Sequence, residues 1–311
     1  MTKILFIMFQ GNATNLKYWN DYTKSKFLDR LKELGSIYTY QDKTHNIWHY
    51  DKTNPDPFMN YKDFDPDIDI DLSYVNPAKH IKMVYEDIQK KYKNSDEYKF
   101  IPIGHSAGCL LALYFAQVYS SQCRHVVLLE SIVFTPNNIK IKLKGLDDGI
   151  YPITNVKYKK MLQHWKDNHD NFEDADKISN LNLYIRLLYI SKHLKLELPV
   201  PTLAFFDIIK PATTERELKK NKERLEEIKI LEKHNPEKYK AITFFNKTHN
   251  IFDMIHPAKK IIKEIKNIIP VSLQKTLSIT RTRSKTPTGG KKKIKTSKKY
   301  NKKIITQNNL D

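Results

Sequence analysis

The sequence predicts a three-layer α/β/α sandwich: a mainly parallel sheet of about six strands between layers of helices, with a helical cap inserted in it. Three observations lead there. Short β-rich runs alternate with helical patterns, the order that a parallel sheet covered on both faces requires. That alternation stops at residues 131–200, where seventy residues separate two strands that a compact unit joins with about thirty. A change of composition at residue 270 then closes the folded part.

Strands are expected at residues 3–9, 36–41, 98–103, 125–130, 202–207 and 242–245. A helix between the first two ends near Leu34, with Gly35 where a left-handed cap favours a residue without Cβ. Ile81, Val84, Ile88 and Tyr92 recur at steps of three and four, an amphipathic helix ahead of the third strand. Within 131–200, Tyr158, Leu162 and Trp165 mark one helix and residues 183–190 a more apolar one, together a lid over one edge of the sheet. Residues 213–233 are highly charged, with Leu218, Leu225, Ile228 and Leu231 as their apolar positions, and are expected to form a solvent-facing helix. The last helix buries Ile261, Ile262, Ile265, Ile268 and Ile269 and stops at Pro270. Pro102 falls inside the third strand, where it cannot donate to a ladder and belongs at an edge or a bulge.

The charge is unevenly spread. Of a net +19, the last 41 residues carry +11, leaving +8 for residues 1–270. The segment 271–311 is rich in Lys, Ser and Thr with Tyr300 as its one aromatic, too little apolar surface to offset the entropy of ordering, so it is expected to be a disordered basic tail. Such a tail suits nucleic acid phosphates, an anionic membrane surface or an import receptor, all by charge. No apolar run approaches the ~18 residues of a membrane span. The N-terminal apolar run lacks the length and cleavage site of a secretory signal, and two cysteines, Cys109 and Cys123, make no disulfide framework, so an intracellular, cytoplasmic or nuclear protein is expected.

The sharpest motif is Gly104-His105-Ser106-Ala107-Gly108, preceded by a strand and followed by an apolar helix. A G-x-S-x-G turn between strand and helix needs small residues two before and two after the serine, because a Cβ there meets neighbouring backbone. Outside the tail the chain has only six glycines, and Gly11, Gly104 and Gly108 are three of them.

These residues resemble the nucleophile elbow of the α/β-hydrolase superfamily, and the resemblance covers most of residues 1–270. It implies a serine nucleophile followed in chain order by an acid and a histidine. Pro201-Thr202-Leu203-Ala204-Phe205-Phe206-Asp207 resembles the strand that leads to the acid, and the run from Ile242 to His249 resembles the one that leads to the histidine. The implied triad is Ser106, Asp207 and His249. Glu130 is the alternative acid, because some members carry it after the preceding strand and the usual position, three residues past Asp207, holds Lys210. The implied oxyanion donors are the N–H groups of Ala107 and of Asn12; Gln10 stands before Gly11 where the family usually has histidine. The first strand is already the one carrying the oxyanion loop, which matches a minimal sheet of six.

The implied reaction is hydrolysis of a carboxylic ester or thioester, less readily an amide, through an acyl-enzyme on Ser106, with a small-molecule or lipid-like acyl substrate. The other reading is a catalytically inactive hydrolase scaffold, a binding module carried to nucleic acid or another polyanion by its tail. The remaining constellations carry less. His256 opens the last helix. His45 and His49 lack the glutamate of H-E-x-x-H, and Asp63, Asp65, Asp67, Asp69 and Asp71 lack the glycine and bidentate glutamate of a calcium loop. Cys109 lies on an apolar helix stripe. No metal and no cofactor is expected, and oligomeric state stays open.

Overall fold

The computed structural model describes residues 3–9, 11, 25–39, 76–92, 97–131, 154–167, 185, 189–190, 193–245 and 251–270. In chain order they form β1 (Lys3–Phe9), α1 (Phe27–Lys32), β2 (Ser36–Thr39), α2 (Pro77–Lys91), β3 (Tyr98–His105), α3 (Gly108–Val118), β4 (Val126–Leu129), α4 (Asn155–Asp167), β5 (Thr202–Ile208), α5 (Glu215–His234), β6 (Tyr239–Phe245), a 3-10 turn (Ile251–Asp253) and α6 (Ile255–Ile268). The sheet has six strands in the order β2-β1-β3-β4-β5-β6, every neighbouring pair parallel. This is the doubly wound sandwich expected from the alternation. The tail 271–311, the acidic run 63–71, His45, His49 and most of the cap 131–200 lie outside the described residues, as do the side chains of Leu162 and Trp165. Among the described residues no helix is long and apolar enough to cross a membrane.

Burial on both faces gives the strands their apolar runs. In β1, Leu5, Ile7 and Phe9 point to a core shared with α2, α3 and α5, while Ile4, Phe6 and Met8 point to a second core shared with α1 and α6. Period-two alternation divides β5 in the same way: Ala204 and Phe206 face α3 and α5, and Leu203 and Phe205 face α1 and α6. Helix α2 starts at an Asn76 cap, whose side chain accepts from the N–H groups of Ala78 (2.9 Å) and Lys79 (3.3 Å), with Pro77 just inside. Ile81, Val84 and Ile88 are buried along it, as their spacing predicts.

Two expectations are corrected, and the place of Pro102 is accounted for. Gly35 does not adopt a left-handed cap; a Cβ there would sit 2.8 Å from the Ile4 carbonyl oxygen, so its role is close approach to β1. Pro102 lies in an interior strand, paired with Ile7 of β1. Phe100 exchanges hydrogen bonds with Gln122 and Arg124 on the β4 side, so strand alternation turns the Pro102 nitrogen to that same side. There it faces the gap between the isolated Phe100–Cys123 bridge and the first β3–β4 pair, Ile103 with Val127, and no ladder bond is lost.

The second correction concerns α5. It begins with a capping box: Thr214 accepts from the Glu217 N–H, and the Glu217 carboxylate returns to the Thr214 N–H. Most of its charges do face solvent, but two do not: Arg224 and Glu227 are buried in the same stripe as Ile228 and Leu231, while Leu218 and Leu225 are exposed.

Candidate active site

The elbow forms where β3 meets α3. Ser106 has φ 50°, a left-handed conformation that a residue with a side chain adopts only under local constraint. Two features impose it. A Cβ on Gly104 would lie 2.5 Å from Cys109 Cα and 2.7 Å from the Gly108 carbonyl oxygen, so only glycine lets the strand pass this close to the helix. The Ser106 N–H donates to the Leu129 carbonyl at 2.9 Å, fastening the turn to the tip of β4. Ala107 is the N-cap of α3 with φ −59°, and among the described residues no backbone carbonyl takes its N–H. That amide belongs to the helix N-terminus, where donors and the macrodipole favour negative charge.

Gly11, two residues past β1, lies against the elbow. A Cβ on Gly11 would be 3.0 Å from His105 Nδ1 and 3.2 Å from Ser106 Cβ, so the residue before Asn12 is in contact with the serine. Asn12 itself, with Gln10 and His249, is outside the described residues. The chain that follows residue 249 is described: Ile251 and Phe252 are buried, and the Phe252 ring packs edge-on against His105 at 5.0 Å. Ser25 donates to the Phe252 carbonyl at 2.5 Å, and Phe27 packs on its ring at 5.7 Å. His256 is exposed at the start of α6.

Two buried carboxylates lie near the tips of β4 and β5, and they face opposite ways. Asp207 is next to last in β5, two residues beyond Phe205, so alternation puts it on the α1/α6 face with Phe252 and His105. Glu130 directly follows β4 at φ 56° and turns to the other face, where one carboxylate oxygen pairs with Arg224 of α5 and the other accepts the Asp207 N–H. Arg224 also donates to the Asp207 carbonyl. Burial pulls the guanidinium down to about 10, and the Glu227 carboxylate opposes that fall. Three residues further along the helix, Glu227 accepts from Ser131 Oγ at 2.5 Å. One turn before Arg224, Asn221 accepts the Ile209 N–H at 2.9 Å and donates to the Ile209 carbonyl at 2.7 Å. Sequence reasoning missed Arg224, Glu227 and Asn221 as site-shaping residues. Spacing alone gave no signal for them: a step back from Ile228 of three reaches Leu225 and of four reaches Arg224, and the apolar residue is the one ordinarily assigned to the buried stripe.

Other groups near the elbow are inert. Cys109 is fully buried, its thiol donating to the Leu129 carbonyl at 3.6 Å, and burial followed by Glu227 pushes its pKa well up, so no thiolate forms there. Among the described residues no group of three or more His, Cys, Asp or Glu is arranged to hold a metal ion.

Sheet order, helix layers and the strained serine between β3 and α3 define the α/β-hydrolase fold. No family model and no curated protein matches the chain. Among solved structures it is similar to a lipase-esterase related protein from Clostridium acetobutylicum, at 16% identity and a TM-score of 0.48 over 86% of this chain and 96% of that one. It is also similar to a thermostable carboxyl esterase from Bacillus coagulans, at 12% and 0.48 over 86% and 91%. The RedJ thioesterase of prodiginine biosynthesis in Streptomyces coelicolor is similar at 12% and 0.46 over 86% and 91%. At these identities and TM-scores the likeness transfers neither activity nor substrate.

Proposed function

We propose that this chain is a serine hydrolase that cleaves a carboxylic ester or thioester through an acyl-enzyme on Ser106. The observation that carries this is the left-handed Ser106 between β3 and α3, a conformation the fold imposes by means of Gly104 and the bond to Leu129. A passive turn has no use for that strain. In the reaction His249 takes the Ser106 proton as Oγ attacks the substrate carbonyl carbon, and the N–H groups of Ala107 and Asn12 hold the oxyanion. The intermediate collapses, the leaving alkoxide or thiolate receives the proton from His249, and water repeats the sequence on the acyl-enzyme. Asp207 orients His249 and stabilises its cation.

Asp207 is favoured over Glu130 on two grounds. It faces the side on which the chain re-enters at Ile251 and Phe252, and residue 249 is tied to Phe252 by three peptide units, at most about 11 Å. Glu130 faces α5 and spends its oxygens on Arg224 and the Asp207 N–H. β3 and β5 are two strand spacings apart, about 10 Å, which leaves room for an imidazole between their tips. A fluorophosphonate probe tests the proposal. Wild type should label, Ser106→Ala should not, and hydrolysis of a p-nitrophenyl ester should fall on the order of 10³-fold or more in that variant. Equal labelling of the two proteins sinks the hydrolase reading and leaves the scaffold as a binding module.

A further inference from the structure

We infer that α5 is the positioning helix of this site and that Arg224 is a positioning residue for Asp207. The inference rests on the hydrolase reading above and deepens it. Three polar side chains on one face of α5 hold the chain ends on which the acid depends. Asn221 grips Ile209 by both its N–H and its carbonyl, Arg224 holds the Asp207 carbonyl and the Glu130 carboxylate, and Glu227 takes the Ser131 hydroxyl. Glu130 closes the loop by accepting the Asp207 N–H. The peptide groups on both sides of the Asp207 Cα are therefore fixed by two buried side chains, and with them the direction in which its carboxylate leaves the strand.

A structural ion pair alone has no need of this arrangement. Arg224 spans two strands, with one end of its fork on the backbone of the acid and another on a carboxylate that itself holds that backbone. The charged groups around Asp207 are Arg224 of α5 on its carbonyl, Glu130 just past β4 on its N–H, and the partly buried Lys220 of α5, whose charge its carboxylate favours. A lysine at position 224 keeps the charge, but its single ammonium lacks the planar fork that reaches both acceptors. The predicted consequence is loss of aim at His249 with substrate binding intact.

The experiment compares wild type with Arg224→Lys, Arg224→Met and the double variant Glu130→Gln/Arg224→Met. For each, kcat and KM on p-nitrophenyl acetate, the pH profile of kcat/KM, the rate of fluorophosphonate labelling and the urea midpoint are measured. The double variant removes one charge of each sign, so a change in its pH profile reads geometry and not a change in local field. Expected results are a kcat lower by tenfold or more in Arg224→Met and the double variant, KM within twofold, and an acid limb moved to lower pH, because an imidazolium without its carboxylate loses its proton more easily. The double variant should recover the urea midpoint lost in Arg224→Met without recovering kcat. Recovery of kcat and of the wild-type acid limb along with the midpoint overturns the inference, as does wild-type labelling speed in the folded Arg224→Lys protein. Absence of labelling in wild type is a different failure, that of the hydrolase reading itself.

Discussion

The elbow and α5 shape the same site by opposite means. At the elbow the determinants are backbone: a glycine whose Cβ would strike Cys109, a serine held at φ 50°, and one N–H tied to Leu129. No charge takes part. On α5 they are side chains: Asn221, Arg224 and Glu227 reach the tips of β4 and β5. A site fixed by backbone tolerates almost no change at one or two positions. A fold held by paired side chains regains its stability when both ends are changed together and loses it when one end is altered alone, while the aim those side chains give the site is lost in either case.

That contrast sets the largest expected effect. Arg224→Met leaves the Glu130 carboxylate buried without its partner and should cost about 3–5 kcal/mol of folding stability in urea denaturation at neutral pH. Glu130→Gln/Arg224→Met should return most of that loss, since the pair is then replaced and not broken. A double variant as unstable as the single would show that α5 is held by something other than the ion pair. The elbow should behave otherwise. Gly104→Ala forces a Cβ to 2.5 Å from Cys109 Cα, an overpacking cost of about 1–3 kcal/mol, and no second substitution should restore both the midpoint and fluorophosphonate labelling, because the clash is with main chain.

The same difference explains what the sequence disclosed. Gly104, Ser106, Ala107 and Gly108 were legible because a backbone constraint leaves few residue types able to meet it, and their spacing is local. The sheet was legible for the same reason, as runs such as Ile4 to Phe9 face two cores and have no polar side. Arg224 and Glu227 were not, because a charged residue on a helix is ordinarily solvated and its burial depends on Glu130 and Ser131, some ninety residues away. Pro102 was legible as an anomaly but not as a solution, since the gap beside it lies in the neighbouring strand. The proposed preference for Asp207 over Glu130 rests on the faces of β4 and β5, which a shift of one residue exchanges.

His125, just before β4, sharpens the comparison from a third side, that of a half-buried titratable group whose charged neighbour is the cation of Arg124. Burial first, then Arg124, lowers its pKa from 6.5 to about 4, and its Nδ1 has no hydrogen-bond partner among the described residues. Between those two values the unfolded chain binds a proton that the folded chain refuses, so stability should fall as pH drops from 6.5 toward 4 and this contribution should level off below 4. Above pH 6.5 both states are neutral and the group contributes nothing. Urea midpoints at pH 7.5 and 4.5 should therefore converge in His125→Gln relative to wild type. An unchanged difference would mean that other groups carry the acid sensitivity.

The smallest effect is expected on the outer side of α5. Leu218 and Leu225 were the apolar positions that suggested how the helix lies, yet they are 56% and 44% exposed. Leu225→Ser removes little buried surface, so the urea midpoint should move by no more than about 0.5 kcal/mol equivalent and labelling of Ser106 should not change. One position earlier, Arg224 should give the largest loss in the protein. Two adjacent residues on one helix then differ by nearly the full range of single substitutions, with the charged one more important to the fold than the apolar one. A costly Leu225→Ser would mean that this face of α5 is covered in the working protein, by a partner or by another part of the chain.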